Sequence, residues 1–401
     1  MNTERRLLLL CETHPDRHVG GPGNRAANDL FAKEVAGAGF SVERIGFEAA
    51  EWVPGDAWLD LNDRREPLHA GPFSPTFAAS APLICIATVA ELEALDAPGS
   101  IVLLHGEIAA EQLTPRRYPF YNTDSHKRIL SALDGAWPAA VIAATDRTPM
   151  AAALCPFPLF EDGDLGHPSA YLHARDGDRL LPHAGEYVRL HIDSLQRRVP
   201  AEQVVVRKRG TASDGRRVVV SAHIDSRYGT PGALDNAAGV CVLLALADLL
   251  GEVTPAVDVE LVPFNGEDDF AAPGEMAYLG RANAALDGIA LVINIDAVGR
   301  KGDQTAISFY GCSDAIKQAA LAAAASLPGV IEGPEWPMSD HMIFAMRGTP
   351  AIAITSTGLT DIAATVAHTV DDVPALVDPA LVDDAARFIA SLIGHLGAAA
   401  T

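Results

Sequence analysis

Apolar positions follow two different rhythms along the chain. From Gln203 onward, short uninterrupted apolar runs alternate with longer segments of helical period. Arg217–Ala222, Val257–Phe264, Ile289–Ile295, Ala306–Tyr310 and Ala351–Thr355 are predicted strands, because each is brief, rich in β-branched residues and bounded by turn-forming residues. Ala237–Leu250 is apolar on nearly every face and is predicted as a helix packed against a sheet. Asp314–Ser326 and the amphipathic Pro379–Leu396 are predicted helices as well. Strand and helix in alternation imply an α/β domain built on a mainly parallel mixed sheet with helices on both faces.

The rhythm differs upstream. Thr3–Cys11 reads as a helix, and His18–Phe47 as a glycine turn, a helix and a strand. Gly20, Gly21 and Gly23 follow no strand and lead to no GK[ST], so they are read as a helix-entry turn and not as a phosphate loop. Between residues 51 and 199 Pro, His and Trp become frequent. Short strand-like runs (Leu83–Ala90, Ser100–Leu104, Ala139–Ala143, Tyr187–Ile192) surround a single helix, His126–Leu133. The expected organisation is therefore 1–50 and 200–401 as the two parts of one domain, with 51–199 as an inserted, mostly β domain.

Composition narrows the classes of partner. The 401 residues carry a formal net charge of -22, which excludes nucleic acid and anionic membranes as expected partners. Five cysteines, Cys11, Cys85, Cys155, Cys241 and Cys312, form no CxxC pair and are read as reduced packing residues, which favours a cytoplasmic location. The apolar run Leu7–Leu10 is too short for a signal peptide, and no stretch is read as a membrane span. His105, His126, His167, His173, His183 and His191 show no paired ligand spacing and are read as surface or core histidines. Self-association is left open.

The chemistry lies at strand ends. His223 and Asp225 close one predicted strand, Asp235 opens the helix after it, Glu267 and Asp268 follow the next strand, Asp296 follows another, and His368 lies beyond the last. In open α/β sheets ligands bind outside the carboxyl ends of the strands. Any one of these residues alone is more simply a helix cap or a solvated loop acid. Taken together, two histidines and three carboxylates form a donor set for two borderline divalent cations, most plausibly zinc.

The segments Ala222–Ser226 (AHIDS), Gly232–Gly239 (GALDNAAG), Phe264–Asp268 (FNGED), Asn294–Gly299 (NIDAVG), Ser339–Phe344 (SDHMIF) and His368–Asp372 (HTVDD) are together similar to the co-catalytic di-zinc aminopeptidase family, whose relatives include glutamate carboxypeptidases and glutaminyl cyclases. The resemblance covers about Arg217–Leu396 together with Arg17–Phe40. It implies the zinc-exopeptidase fold, with a protease-associated-like insert. It further implies that His223 and Asp296 hold one zinc, that Asp268 and His368 hold the other, and that Asp235, across a cis peptide bond to Asn236, bridges them. Glu267 is implied as general base and acid toward a zinc-held hydroxide, and Asp225 as the carboxylate orienting His223. Asp268 stands where most relatives have glutamate. His341 and Tyr278 are candidate substrate contacts, with a structural loop histidine as the plainer reading of His341. The implied activity is removal of N-terminal residues from small peptides. The alternatives are an amide hydrolase or carboxypeptidase acting on N-acylated or carboxyl-terminal residues, a glutaminyl-cyclase-like enzyme, and, least favoured, a non-catalytic binding domain.

Overall fold

Among the described residues the chain forms thirteen strands: β1 (Ser41–Leu61), β2 (Arg64–Ala70), β3 (Phe77–Ile86), β4 (Ile101–Leu104), β5 (Ala140–Thr145), β6 (Ser169–His173), β7 (Tyr187–Lys208), β8 (Arg217–His223), β9 (Asp258–Phe264), β10 (Ile289–Ile295), β11 (Thr305–Tyr310), β12 (Val330–Glu332) and β13 (Ala351–Ser356). The structure is a computed structural model and describes residues 1–116, 118, 122–148, 153–161, 163, 165–211, 215–269, 271–281 and 286–398. Contacts divide the chain into two units, Met1–Ala49 with Val199–Thr401, and Ala50–Arg198.

In the first unit the strands run in the order β7-β9-β8-β10-β13-β11-β12. The four central strands β9, β8, β10 and β13 are mutually parallel, while β7 is antiparallel to β9, and β11 is antiparallel to β13 and parallel to β12. Four carboxyl ends therefore emerge side by side. Every residue of β8 from Val218 to His223 and all of β13 are buried, which is why these strands read as continuous apolar runs instead of alternating ones. The helix Ala238–Gly251 lies in this core, with Val240–Leu244 and Leu246 buried, and the helix Pro379–Ala398 packs against it.

One expectation is corrected here. Ala233–Gly251 is long and apolar enough by composition to cross a bilayer, contrary to the reading that no stretch approaches this. Most of its side chains are buried within the unit, as those of a core helix are, and the exposed Asp248 and Leu249 lie in its last turn.

The second unit has the order β1-β2-β6-β5-β4-β3-β7, with β3, β4, β5 and β6 parallel to one another. Alternate residues of β4 and β5 feed two separate cores. Ile101, Leu103, Ala140 and Ile142 enter one, and Val102, Leu104, Val141 and Ala143 enter the other. The strand expected over Leu83–Ala90 stops at Ile86, because Thr88 and Glu91 form a capping box that starts a helix at Val89.

One buried cation fastens the N-terminal segment of the first unit to the loop after β8. Arg17 is fully buried and donates from Nε to the carbonyl of Ile224 (2.9 Å), from Nη1 to those of Leu10 (3.0 Å) and Pro231 (2.7 Å), and from Nη2 to that of Gly232 (2.8 Å). Only glycine suits position 232. Its φ is +55°, and a Cβ there would lie 2.4 Å from the Asp235 carbonyl and 3.0 Å from Arg17 Nη2. Arg17→Met, which keeps much of the volume but strips four carbonyls of their donors, should lower stability by at least about 3 kcal/mol. The urea midpoint measures this, and an unchanged midpoint would contradict the role given to the guanidinium.

Candidate metal centre

Each candidate side chain reaches the site by a short path from a strand end. His223 is the last residue of β8, Asp296 follows β10 directly, and Asp268 lies four residues past the end of β9. His368 comes from the segment after β13, beyond the helix Leu359–Thr365. Asp235 stands in the irregular turn ahead of the helix Ala238–Gly251, and its peptide bond to Asn236 is cis. Asn236 anchors this turn, donating to the Ile295 carbonyl at the end of β10 (2.8 Å) and accepting from the Gly239 amide (3.0 Å).

The donor atoms converge as two triangles sharing Asp235. His223 Nε2 lies 3.0 Å from Asp235 Oδ1 and 3.5 Å from Asp296 Oδ1. His368 Nε2 lies 3.2 Å from the other Asp235 oxygen, Oδ2, and 3.1 Å from Asp268 Oδ1. Both sets, His223–Asp235–Asp296 and Asp235–Asp268–His368, present one ligand atom per residue to a common point. His368 itself has φ +64°, and Ala297, next to Asp296, has φ +53°. Each costs about 1–2 kcal/mol for a residue bearing a Cβ, and such strain clusters at functional sites.

Electrostatics show what the cluster lacks. Burial works against a charged His368, yet Asp268 and Asp235 push its imidazole up to about 10. Burial likewise opposes charge on His223, and Asp296, Asp225 and Asp235 overcome it. Asp296 is raised by burial and by the charge of Asp235, whereas Asp235, although buried, is held low by its two imidazole neighbours. Glu267 is half-buried among Asp296, Asp268 and Asp235, and burial and those charges hold its carboxyl well above the usual range. The surrounding carboxylates thus favour positive charge at both imidazoles. Buried His223 Nε2 and Asp268 Oδ2 also find no hydrogen-bond partner among the described residues. Orphaned donor atoms, nitrogen and oxygen ligands, and one carboxylate offering its two oxygens to opposite sides all fit a pair of divalent cations. Such cations would neutralise the acids and free both imidazoles to act as ligands.

The surrounding shell is built mainly from groups that satisfy backbone. The Asp225 carboxylate accepts the amides of Gly266 (2.9 Å) and Asp268 (3.0 Å), so it shapes the turn that carries Glu267 and Asp268. Its contact with His223 is looser: Nδ1 lies 3.2 Å from the Asp225 carbonyl and 3.6 Å from Oδ1. The imidazole is thus oriented more by the main chain of Asp225 than by its carboxylate. Asn265 holds the same turn by reciprocal side-chain bonds with Asn24 (2.6 and 3.1 Å), by donating from its side-chain amide to the Glu202 carbonyl (2.9 Å), and by donating its backbone N–H to Gln203 Oε1 (3.0 Å). Arg227 Nε approaches Asp268 Oδ1 at 3.3 Å.

Two expected substrate contacts are withdrawn. Tyr278 is fully buried, donates to Glu260 Oε1 (2.5 Å) and packs edge-on against Phe264. His341 is also fully buried, packed between Tyr310 and Trp336, and its Nε2 donates to the Trp336 carbonyl (3.0 Å). Burial pulls its imidazole down to about 4 and keeps it neutral. Neither presents a polar atom to a substrate.

The motifs assign no role to Asp340 or Asp372, although both lie within the quoted segments. Glu275 and Asp340 are fully buried carboxyls with no donor among the described residues, and burial pushes Glu275 up to about 8 and Asp340 well above its usual range. Asp372, four residues beyond His368, accepts the amides of Leu234 (2.8 Å) and Asp235 (3.0 Å) on its two carboxylate oxygens. It thereby fixes the turn that points Asp235 at both histidines. Asp372→Asn can accept only one of these amides. It should weaken metal affinity by roughly 10–100-fold, the usual cost of losing a group that orients a ligand. Titration against a competing chelator measures this, and wild-type affinity would contradict it.

Comparison with known proteins agrees with this geometry. Residues 203–393 match Peptidase family M28. The uncharacterized protein YfbL of Escherichia coli is 29% identical over 237 residues, covering 46% of this chain and 72% of YfbL. The probable lipoprotein aminopeptidase LpqL of Mycobacterium tuberculosis is 23% identical over 291 residues, covering 70% of this chain and 54% of LpqL, so the match spans only about half of that relative. The fold is similar to that of BSAP, a zinc aminopeptidase from Bacillus subtilis, with a TM-score of 0.74 at 19% identity over 98% of this chain and 93% of the other. The stretch that matches Peptidase family M28, residues 203–393, carries all five converging side chains.

Proposed function

We propose that the protein is a metal-dependent aminopeptidase that removes N-terminal residues from small peptides at a two-zinc centre. The observation that carries this reading is the pair of donor triangles joined through the two oxygens of Asp235. His223 and Asp296 would hold one ion, Asp268 and His368 the other, and Asp235 both. Bound there, zinc would polarise the scissile carbonyl and lower the pKa of water toward about 7.

The chain's own residues supply the rest. Glu267 takes the proton of the attacking water on its carboxylate and returns it to the leaving amine. The Asp225 carboxylate, through the Gly266 and Asp268 amides, holds Glu267 and Asp268 in one fixed turn. Asp268 is one methylene shorter than glutamate, so the turn must bring its backbone closer to the ion. The crowd of carboxylates also favours the cationic free amino group of a peptide over a blocked one.

A second reading rests on Arg227, which lies 3.3 Å from Asp268 with its side chain 28% exposed. A guanidinium at the rim suits a substrate carboxylate. That favours hydrolysis of an N-acylated or carboxyl-terminal residue.

Turnover of matched free and N-blocked dipeptides, with metal content measured in the same samples, separates the two. Preference for the free amino terminus is expected, and preference for blocked substrates would replace the first reading by the second. Glu267→Gln should keep wild-type metal content and lose roughly 10²–10⁴-fold in turnover of aminoacyl-nitroanilides. Wild-type rates in that variant would remove Glu267 as the proton carrier.

A further inference from the structure

A second convergence of metal-type side chains lies in the unit Ala50–Arg198. Asp146 follows β5, and His173 ends β6, its parallel neighbour, whose register pairs Thr145 with His173. Two carboxyl-end residues of adjacent parallel strands are thereby brought together. Cys155 reaches them from the loop between these strands. Thr145 holds that loop at the strand end: its Oγ1 donates to the Phe157 carbonyl (2.7 Å) and accepts the Phe157 amide (3.1 Å). Phe157 is itself fully buried, and the Leu113 amide donates to the Leu159 carbonyl (2.9 Å), so the segment carrying Cys155 is anchored on both sides of the sheet end.

The three ligand atoms form a nearly equilateral triangle. Cys155 Sγ is 3.6 Å from Asp146 Oδ1 and 3.8 Å from His173 Nε2, and His173 Nε2 is 3.8 Å from Asp146 Oδ1. A point equidistant from all three lies about 2.2 Å from each, within the range of zinc bonds to sulfur, nitrogen and oxygen. The thiol contacts to Asp146 and His173 are weak sulfur hydrogen bonds, and His173 Nε2 and Asp146 Oδ1 lie too far apart, at 3.8 Å, to hydrogen-bond each other.

The same geometry argues against a thiol nucleophile. In a nucleophile–histidine–acid relay the acid meets the imidazole nitrogen remote from the nucleophile. Here Asp146 and Cys155 face the same nitrogen, Nε2, while Nδ1 accepts the Arg175 amide at 3.3 Å. Ligation through Nε2 would place the proton on Nδ1, so the only contact given up is that long one.

We propose that Asp146, Cys155 and His173 form a third metal site, separate from the centre around Asp235, for a borderline divalent cation of the zinc class. Three protein ligands leave a fourth position for water or a partner's donor atom. This replaces the reading of Cys155 and His173 as packing and surface residues: Cys155 is exposed, and His173 points its Nε2 at two other ligand-type atoms.

Sulfur separates this site from the other centre, whose donors are nitrogen and oxygen only. The full chain, stripped of metal and titrated with cobalt(II), should develop a thiolate-to-cobalt absorption band. Cys155→Ser should abolish it, His173→Ala should weaken cobalt binding at this band by at least 10-fold, and His368→Ala should leave it intact. With zinc, the wild type should bind one equivalent per chain more than Cys155→Ser. Absence of the band from the wild type at saturating cobalt would overturn the proposal. So would its persistence in Cys155→Ser, which would assign it to another cysteine, or unchanged affinity in His173→Ala. The two substitutions change partly exposed side chains outside both cores; if either variant fails to fold, alkylation of the exposed Cys155 in the folded wild type takes its place, with loss of the band expected and its persistence overturning the proposal.

Discussion

Compensation of charge governs the centre of the catalytic unit. Asp235, Asp268, Asp296 and Glu267 are crowded around two imidazoles, with Arg227 approaching from one side. Like charges at such range, removed from water, repel strongly. The carboxylates favour positive charge on both imidazoles, Glu267 and Asp296 are held above their usual range, and Asp235 is held below it. A site arranged this way is destabilising for the protein alone and favourable for a protein with bound cations, which is how ligand binding becomes folding free energy.

Topology delivers the crowd. Parallel pairing of β9, β8, β10 and β13 puts four carboxyl ends in a row, and each supplies one or more acids or histidines within a short loop. Precision then comes from backbone satisfaction. Asp225 takes two amides of the turn after β9, Asp372 takes two amides of the turn bearing Asp235, and Arg17 caps four carbonyls, three of them in the loop after β8. Each acts by fixing the direction of a neighbouring group.

What could be read from the residues follows the same division. Runs such as Val218–Ala222 and Ile289–Ile295 announce buried parallel strands, and His223, Glu267, Asp268 and Asp296 announce themselves by following such runs at once. Asp235 and His368 enter the same donor set by lying beyond strand ends, but the bridging role of Asp235 and the partners of His368 needed the family resemblance, since nothing in their spacing measures distance across the sheet. Depth was illegible: Tyr278 and His341 share segments with site residues, yet one is turned into the aromatic core and the other is closed in by Tyr310 and Trp336. The roles of Arg17 and Asp372 were hidden because hydrogen bonds to main-chain groups leave no spacing pattern. Asp146, Cys155 and His173 form no motif for a related reason: strand pairing, not sequence interval, brings them together.

The central claim is that Asp235 joins two cations. Crystals of the zinc-loaded protein, measured on both sides of the zinc absorption edge, test it most directly. The account predicts two anomalous peaks about 3.5–4 Å apart, one between His223 and Asp296 and one between Asp268 and His368, with a different Asp235 oxygen toward each. A single peak, or two peaks of which only one touches Asp235, would contradict it.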